Sequence, residues 1–168
     1  MRAVAASGEG ARFWHNHPSQ NSLSDGDWEW AATAPSIEVV ALNESGSMFA
    51  GSMPHWDDAF KSVLEAFRSI AADLEFTMSR SAKTRGLGID TQNALSHLTG
   101  HVLNLAMAAN GVGAYGYSLS VPDARTASAA SDVIADGLAY AIAEIKDVIA
   151  SAVVEPDAPD DGGSPTST

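Results

Sequence analysis

The side chains most able to do chemistry in this sequence are two histidines one residue apart and an aspartate that follows them. They are His15, His17 and Asp27. Two imidazoles and one carboxylate can hold a divalent metal ion and leave a fourth tetrahedral position open, which distinguishes catalytic zinc sites from closed structural ones. A water molecule in that position becomes acidic near neutral pH. These residue types therefore predict a metal site suited to hydrolysis.

A short strand and the start of a helix are the elements that must bring these side chains together. Residues 11–17 are partly aromatic, and we predict a strand there that the following proline ends, because proline cannot donate into a ladder. Side chains alternate along a strand, so His15 and His17 emerge on one face. Ser24 can cap a helix whose third residue is Asp27, which turns that carboxylate back toward the two rings.

The acidic segment at this helix start also has a purely structural explanation. Serine is a favoured cap and acids complement the positive end of a helix, so Ser24, Asp25 and Asp27 need no metal. The two roles are compatible. An isolated pair of histidines would be weak evidence for a metal site. The proline, the cap and the aspartate together favour the interpretation that the segment derives from a metal-binding site.

The segment from about Phe13 to Trp28 resembles the JAMM (JAB/MPN-plus) metalloproteases, a family that includes deubiquitinases and their bacterial relatives. RadC proteins share the His-Asn-His-Pro-Ser sequence that stands at residues 15–19. The resemblance covers roughly the first third of the chain, with weaker support from the predicted hairpin up to Gly51. The remaining residues have a generic helical pattern.

The resemblance implies a role for each residue of the motif. In the family the two histidines and the aspartate bind zinc, which carries over to His15, His17 and Asp27, and the intervening serine helps to stabilise the oxyanion, which carries over to Ser24. Nine residues separate His17 from Asp27, one fewer than in the commonest form of the motif. Asp25 is the alternative ligand if the register differs.

The family also uses a glutamate upstream of the histidine pair as the general base that takes a proton from the zinc-bound water. Glu9 is the sole acid before His15. Along one extended strand its Cα would lie roughly 20 Å from that of the histidine, and a reversal at the neighbouring glycines would break the strand. Glu29, Glu38 and Glu44 lie downstream and match no part of the motif.

The sequence is therefore expected to be a JAMM-type domain without its first strands and helix. Three explanations stay open: a start codon assigned too late, a base supplied by another chain, or a protein that binds without catalysing. The first functional hypothesis is a zinc-dependent peptidase or isopeptidase that hydrolyses an amide bond in a peptide or ubiquitin-like protein. The alternative is a catalytically inactive, JAMM-derived binding or assembly module that recruits a partner through its helices.

The charge balance and the absence of cysteine limit the remaining functions. With 9 Lys and Arg against 21 Asp and Glu, the net charge is −12, which repels nucleic acid and anionic membranes. No cysteine occurs, so disulfides, thiolate nucleophiles and Cys-type zinc sites are excluded. The first residues do not resemble a secretion signal, and we expect a cytoplasmic protein with no nucleic-acid or membrane partner.

Changes of apolar periodicity along the chain predict an α+β fold. An apolar run at 36–42 and an extended run at 47–50, with turn residues between them, predict a hairpin. Helical spacing follows from residue 54, over about 90–109 and over about 126–154. We expect a partial JAMM-type sheet flanked by helices and followed by a C-terminal helical portion.

Large apolar residues at steps of three and four define the seams of the first and third predicted helices: Trp56, Phe60, Val63, Phe67, Ile70 and Leu74, then Ile134, Leu138, Ile142, Ile145, Ile149 and Ala152. Such seams suit packing within the chain or between two copies, so a homodimer through the C-terminal helices stays open. We predict one domain over 1–154, strand-rich over 11–53 and helical over 54–154. The acidic segment 155–168, rich in proline and glycine, is expected to be disordered.

Four other residues and one basic segment have simpler explanations. His97 and His101 stand four residues apart but lack the glutamate of the zinc-protease helix motif, so surface or cap roles fit better. Trp28 and Trp30 are predicted to pack rather than to line a peptide groove. The basic segment 79–88 is predicted to be a solvated loop that offsets the acidic charge.

Overall fold

The computed structural model describes residues 11–17, 21–34, 37–53 and 57–154. Within them the elements are β1 (Ala11–His17), α1 (Asp25–Thr33), β2 (Ile37–Asn43), β3 (Met48–Ser52), α2 (Asp58–Thr84), α3 (Ile89–Ser96), α4 (Thr99–Ala109), β4 (Ala114–Ser118), α5 (Val121–Ala129) and α6 (Ser131–Val154). A mixed sheet accompanied by helices confirms the predicted α+β class. The predicted disordered tail over 155–168 lies outside the described residues.

The strands lie side by side in chain order, and the first pair differs from the other two. β1 and β2 run parallel, with His15 beside Ala41, and α1 is the crossover that connects them. The pairs β2–β3 and β3–β4 are antiparallel. The turn between β2 and β3 requires Gly46, whose φ of +88° lies in the left-handed region. The predicted hairpin is present as β2 and β3, whereas β4 is a strand that the sequence pattern did not indicate.

Alternation along β1 places the two histidines toward the helical layer. Odd-numbered residues of the strand are half-buried and even-numbered ones are exposed. On the half-buried side, the ring of Trp30 on α1 lies 4.4 Å from that of Phe13, measured between centroids. His15 and His17 therefore face the side of the sheet that α1 covers.

Trp28 anchors α1 in the core and is 1% exposed, which confirms its predicted packing role. Its ring lies close to the backbone at two glycines. A Cβ added at Gly51 would lie 2.9 Å from the Trp28 ring and 2.6 Å from Cδ1 of Leu23, and one added at Gly113 would lie 3.0 Å from the same ring. The start of α1 is thus held against β3 by a contact that only glycine permits.

Replacing Gly51 with alanine is expected to lower the free energy of unfolding by about 1–3 kcal/mol, because the new methyl group overlaps Leu23 and Trp28. Urea denaturation followed by circular dichroism measures this loss. Gly116→Ala is the matched control on β4, since no heavy atom lies within 4 Å of its added Cβ. Equal stability of the two variants would contradict the proposed close packing.

The long helix α2 buries the apolar seam that the sequence predicts. The seam residues that the structure describes are all buried: Phe60, Val63, Phe67, Ile70 and Leu74. The remaining one, Trp56, lies outside the described residues. The helix begins after Asp57, whose side chain accepts a hydrogen bond from the backbone N–H of Phe60 at 2.8 Å.

None of the described helices has both the length and the apolar content of a bilayer-spanning helix.

Helix α6 packs on α2, but most of its buried residues lie one position before the residues predicted to be buried. The predicted Ile134, Leu138, Ile142 and Ile149 are only partly buried, and the buried positions of the helix are Val133, Gly137, Ala141 and Ile145. A Cβ added at Gly137 would lie 2.7 Å from Cγ of Met78 on α2. Small residues therefore let the two helices approach closely, and the helical seams pack within one chain.

Two predicted helices are each divided in the structure. The helix predicted over 90–109 is wrong as one element, because Leu98 has ψ −4° and its N–H donates to the Leu95 carbonyl at 2.9 Å, a tight turn between α3 and α4. The helix predicted over 126–154 is interrupted at Ala130, whose φ is −120° and ψ 27°. The first part of that segment belongs to α5, which begins after the cap Ser120.

The basic segment 79–88 is mostly helical, so the prediction of a loop there is wrong. Helix α2 continues to Thr84, and only the four residues that follow connect it to α3. The Arg85 guanidinium donates to the Asp136 carboxylate at 2.8 Å and to that of Asp132 at 3.4 Å. This charge therefore offsets acidic residues of α6, although exposed pairs contribute little to stability.

Candidate metal centre

Three side chains from β1 and α1 converge on one point. The Nε2 atoms of His15 and His17 lie 2.8 Å apart. The Asp27 carboxylate completes a triangle, with Oδ1 2.9 Å from Nε2 of His15 and Oδ2 3.1 Å from Nε2 of His17. In the described part of the chain, no other set of three His, Asp or Glu side chains brings its ligand atoms within 4.8 Å of one another.

The size of this triangle fits a small divalent cation. Metal–ligand bonds of about 2.0–2.2 Å at a tetrahedral angle separate the ligand atoms by roughly 3.3 Å. The measured separations of 2.8, 2.9 and 3.1 Å are slightly shorter, so binding requires only a small outward movement of each side chain. Two nitrogens and one oxygen are also a donor set that zinc accepts. The residues present therefore fit a metal ion with one coordination position left open.

The loop before α1 orients the His17 ring. Its Nδ1 lies 3.3 Å from the carbonyl oxygen of Asn21. With a metal ion bound, a proton on Nδ1 that is donated to this carbonyl would leave the Nε2 lone pair free for the ion, an arrangement typical of metal-ligating histidines. The Nδ1 atom of His15 is buried and has no hydrogen-bond partner among the described residues. Among the described residues, only His17 therefore has a hydrogen-bond partner at the ring nitrogen that faces away from the triangle.

Asp27 serves the helix start and the triangle at the same time. Its Oδ2 accepts hydrogen bonds from the backbone N–H and from the hydroxyl of Ser24, both at 2.7 Å. In return the Ser24 hydroxyl accepts a hydrogen bond from the backbone N–H of Asp27 at 3.4 Å, which completes a capping box. Ser24 thus fixes one oxygen of the carboxylate, and Oδ1 faces His15.

The charges of the triangle are coupled. The hydrogen bond to Asp27 raises the pKa of His17 above its ordinary value and outweighs the lowering effect of burial. Burial favours the neutral form of Asp27, but hydrogen bonds from His17 and Ser24 outweigh it and lower the pKa of this carboxyl to about 2. Asp27 is therefore ionised over the whole physiological range, which is the form that binds a metal.

The other acidic candidates of the motif do not join the triangle. Asp25, the alternative ligand, accepts a hydrogen bond from Nε of Arg68 at 2.6 Å. Glu29 and Glu44 are exposed, and Glu38 pairs with an arginine on the even-numbered face of β1. No fourth acidic or histidine side chain of the described residues enters the group.

A buried polar network joins the loop before α1 to α4 and β4, and the sequence pattern did not predict it. The hydroxyl of Ser22 lies 2.7 Å from that of Tyr115 and accepts a hydrogen bond from Nδ2 of Asn104 at 3.0 Å. The Trp28 indole donates to Oδ1 of the same asparagine at 2.8 Å. The available signal is Asn104 itself, a polar residue among the apolar residues of α4.

His101 belongs to this network, so the predicted surface or cap role is wrong for it. It is 4% exposed, and its Nδ1 lies 2.9 Å from the hydroxyl oxygen of Tyr115. His97, the other member of the helical pair, forms no metal group with it in the part of the chain that is described. Burial lowers the pKa of His101 from 6.5 to about 4, although the charge of Asp123 acts in the opposite direction.

The depressed pKa of His101 predicts a loss of stability in mild acid. The unfolded chain takes up this proton near pH 6.5 and the folded chain only near pH 4, so stability is lost as the pH falls through this window. Between pH 7 and pH 5 the loss is about 2 kcal/mol. His17 acts oppositely because its pKa is raised. The measurement is therefore the urea stability of the native chain relative to His101→Gln at both pH values; a constant difference would contradict the buried neutral imidazole.

A scan against models of known protein families and searches of curated proteins and solved structures find no match to this chain.

Proposed function

We propose that this chain is a zinc-dependent peptidase or isopeptidase of the JAMM type, with His15, His17 and Asp27 as the metal ligands. The observation that supports the proposal is the triangle of ligand atoms 2.8 to 3.1 Å apart, within a segment that resembles the motif of that family. The same donor set also suits iron(II). Metal analysis of the purified protein distinguishes the two ions, and the proposal requires zinc.

In this proposal His15, His17 and Asp27 would hold the zinc ion. When bound there with an open position, zinc would acidify a water molecule and polarise a carbonyl oxygen. Asp27 contributes negative charge, and the Asn21 carbonyl keeps the lone pair of His17 directed inward. The exposed hydroxyl of Ser24 is the donor that we propose for the developing oxyanion. Its single proton, donated to Asp27 at 2.7 Å in the structure, would turn toward the substrate.

The proposed reaction also needs a general base. No further carboxylate of the described residues joins the triangle, and Glu9 lies outside those residues. A second candidate function follows from this observation, namely a JAMM-derived binding or assembly module that holds the metal without turnover. In either case we expect a cytoplasmic protein whose partner is a peptide or a ubiquitin-like protein.

Turnover distinguishes the two candidates. The zinc-loaded chain is incubated with a fluorogenic peptide pool and with a ubiquitin-like protein that carries a fluorophore on an amide at its C-terminus. The peptidase hypothesis predicts zinc-dependent cleavage that a chelator abolishes and that Ser24→Ala slows by about 10²–10³-fold in kcat, the usual effect of losing an oxyanion donor. Zinc binding with no cleavage would favour the binding module, and no zinc binding would contradict the peptidase.

A further inference from the structure

A single buried amide holds both ends of the segment that orients the metal ligands. Asn104 on α4 is fully buried, at 0% exposure. Its Nδ2 donates to the carbonyl oxygen of Leu23 at 2.9 Å and to the hydroxyl of Ser22 at 3.0 Å, while its Oδ1 accepts from the Trp28 indole at 2.8 Å. Both amide protons and the carbonyl oxygen are thereby used, all toward residues 22–28.

Two of the residues that Asn104 binds are the direct sequence neighbours of residues that set the geometry of the triangle. Asn21, whose carbonyl receives Nδ1 of His17, directly precedes Ser22. Asp27 directly precedes Trp28. Because neighbouring peptide units share a backbone, fixing one restricts the next. The position of Asn104 is therefore transmitted to one histidine and to the carboxylate, although the amide touches neither.

A contact on the other side of the loop strengthens this hold. The Tyr115 hydroxyl on β4 lies 2.7 Å from that of Ser22 and 2.9 Å from Nδ1 of His101. Ser22 is consequently 2% exposed and bonded to both α4 and β4. An amide buried without partners costs about 1–3 kcal/mol, so this network is stable only while the loop keeps its place.

We infer that Asn104 is a positioning residue of the metal centre, which sets the His17 imidazole and the Asp27 carboxylate in their binding geometry before the ion arrives. The inference rests on the proposed function, since it concerns the same triangle. It assigns to α4 a role in metal affinity beyond packing. Residues that hydrogen-bond directly to metal ligands commonly change metal affinity by about 10–100-fold. We expect an effect in that range because Asn104 holds residues adjacent to Asp27 and to Asn21, the hydrogen-bond partner of His17.

A matched pair of asparagines on α4 tests this role. Asn104→Leu removes the hold on the loop. Asn110→Leu removes a side chain of the same type at the end of the helix, where Nδ2 donates to the carbonyls of Ala106 and Ile142 at 2.9 and 3.2 Å. We expect the zinc Kd, measured by chelator competition, to rise about 10–100-fold in the first variant and to change less than about twofold in the second. Urea stability and the absorption spectrum of bound cobalt(II) separate a change in site geometry from loss of folding.

Hydrogen exchange in the unmutated chain provides a test that needs no variant. Coupling between two sites is reciprocal, so zinc binding must also stabilise the hydrogen bonds of Asn104. We expect zinc to slow exchange of the Asn104 side-chain amide protons by at least about tenfold and to leave those of Asn110 unchanged. This measurement decides the question if Asn104→Leu does not fold.

The outcomes separate this inference from the metal centre itself. If the unmutated chain binds no zinc, the metal centre is wrong and the inference falls with it. If the unmutated chain binds zinc, an unchanged Kd in folded Asn104→Leu overturns the inference alone, and so does unchanged exchange of the Asn104 amide. Equal loss of affinity in both asparagine variants also overturns it, because a general effect of α4 would then be responsible.

Discussion

Replacing His17 with alanine is expected to reduce the zinc content of the purified chain from about one ion to background, because a site of three protein ligands loses one of its two nitrogens. His17 is also the ligand whose second nitrogen is held by a backbone carbonyl, that of Asn21 at 3.3 Å. Mass spectrometry of the dialysed protein measures the metal content. Thermal unfolding gives a second reading, since zinc at 100 times its Kd stabilises a folded chain by about 2.7 kcal/mol and should no longer do so in the variant.

His97→Ala is the matched control for this substitution. His97 follows α3 and belongs to no group of candidate ligands in the described ranges. We expect this control to retain zinc and to remain stabilised by it. Unchanged metal content in His17→Ala would rule out the proposed centre, and equal loss in both variants would show that the metal binds through histidines in general.

The elements around the triangle could be predicted from the sequence because their signals are local. Alternation along residues 11–17 depends only on strand geometry, which places His15 and His17 on one face. The cap at Ser24 and the third helical position of Asp27 depend only on spacing within the chain. The apolar seam of α2 is likewise a property of one continuous segment.

The parts that sequence reasoning missed depend on contacts between distant segments. Asn104 binds residues 76 to 82 positions earlier in the chain, and no periodicity within α4 indicates such partners. β4 is five residues long, and its alternating Tyr115 and Tyr117 lie in a glycine-rich stretch whose pairing with β3 supplies the stabilisation. The seam of α6 was assigned to its largest residues, but close approach to α2 selects Gly137 and Ala141 instead.

The Asp27 carboxylate has both the structural and the metal-binding role that the acidic helix start suggests. Oδ2 of Asp27 is bonded to the cap at Ser24, and Oδ1 faces His15. A capping box therefore does more than begin the helix, because it also fixes the rotation of a candidate ligand. A substitution that keeps the hydrogen bonds of the cap and removes the charge can separate the two roles.

Asp27→Asn is that substitution. We expect it to weaken zinc binding by more than about 100-fold, beyond the range of outer-shell changes, and to lower the free energy of unfolding by about 1–2 kcal/mol. The amide oxygen can still accept from the backbone N–H of Ser24, so the helix start persists. A neutral amide is a poor ligand beside two imidazoles, and its NH₂ group would turn toward one of them. Isothermal titration of the folded variant with zinc measures the loss.

Asp25→Asn makes the same change of charge two residues earlier, in the same first turn. Its carboxylate pairs with Arg68 at the surface and is absent from the triangle, so we expect zinc affinity to change less than about twofold and stability by a few tenths of a kcal/mol. If Asp25→Asn weakened zinc binding and Asp27→Asn did not, the alternative register of the motif would be correct. Equal losses in both variants would indicate that zinc senses only the negative charge of the helix start, and the geometry of the triangle would then have no part in binding.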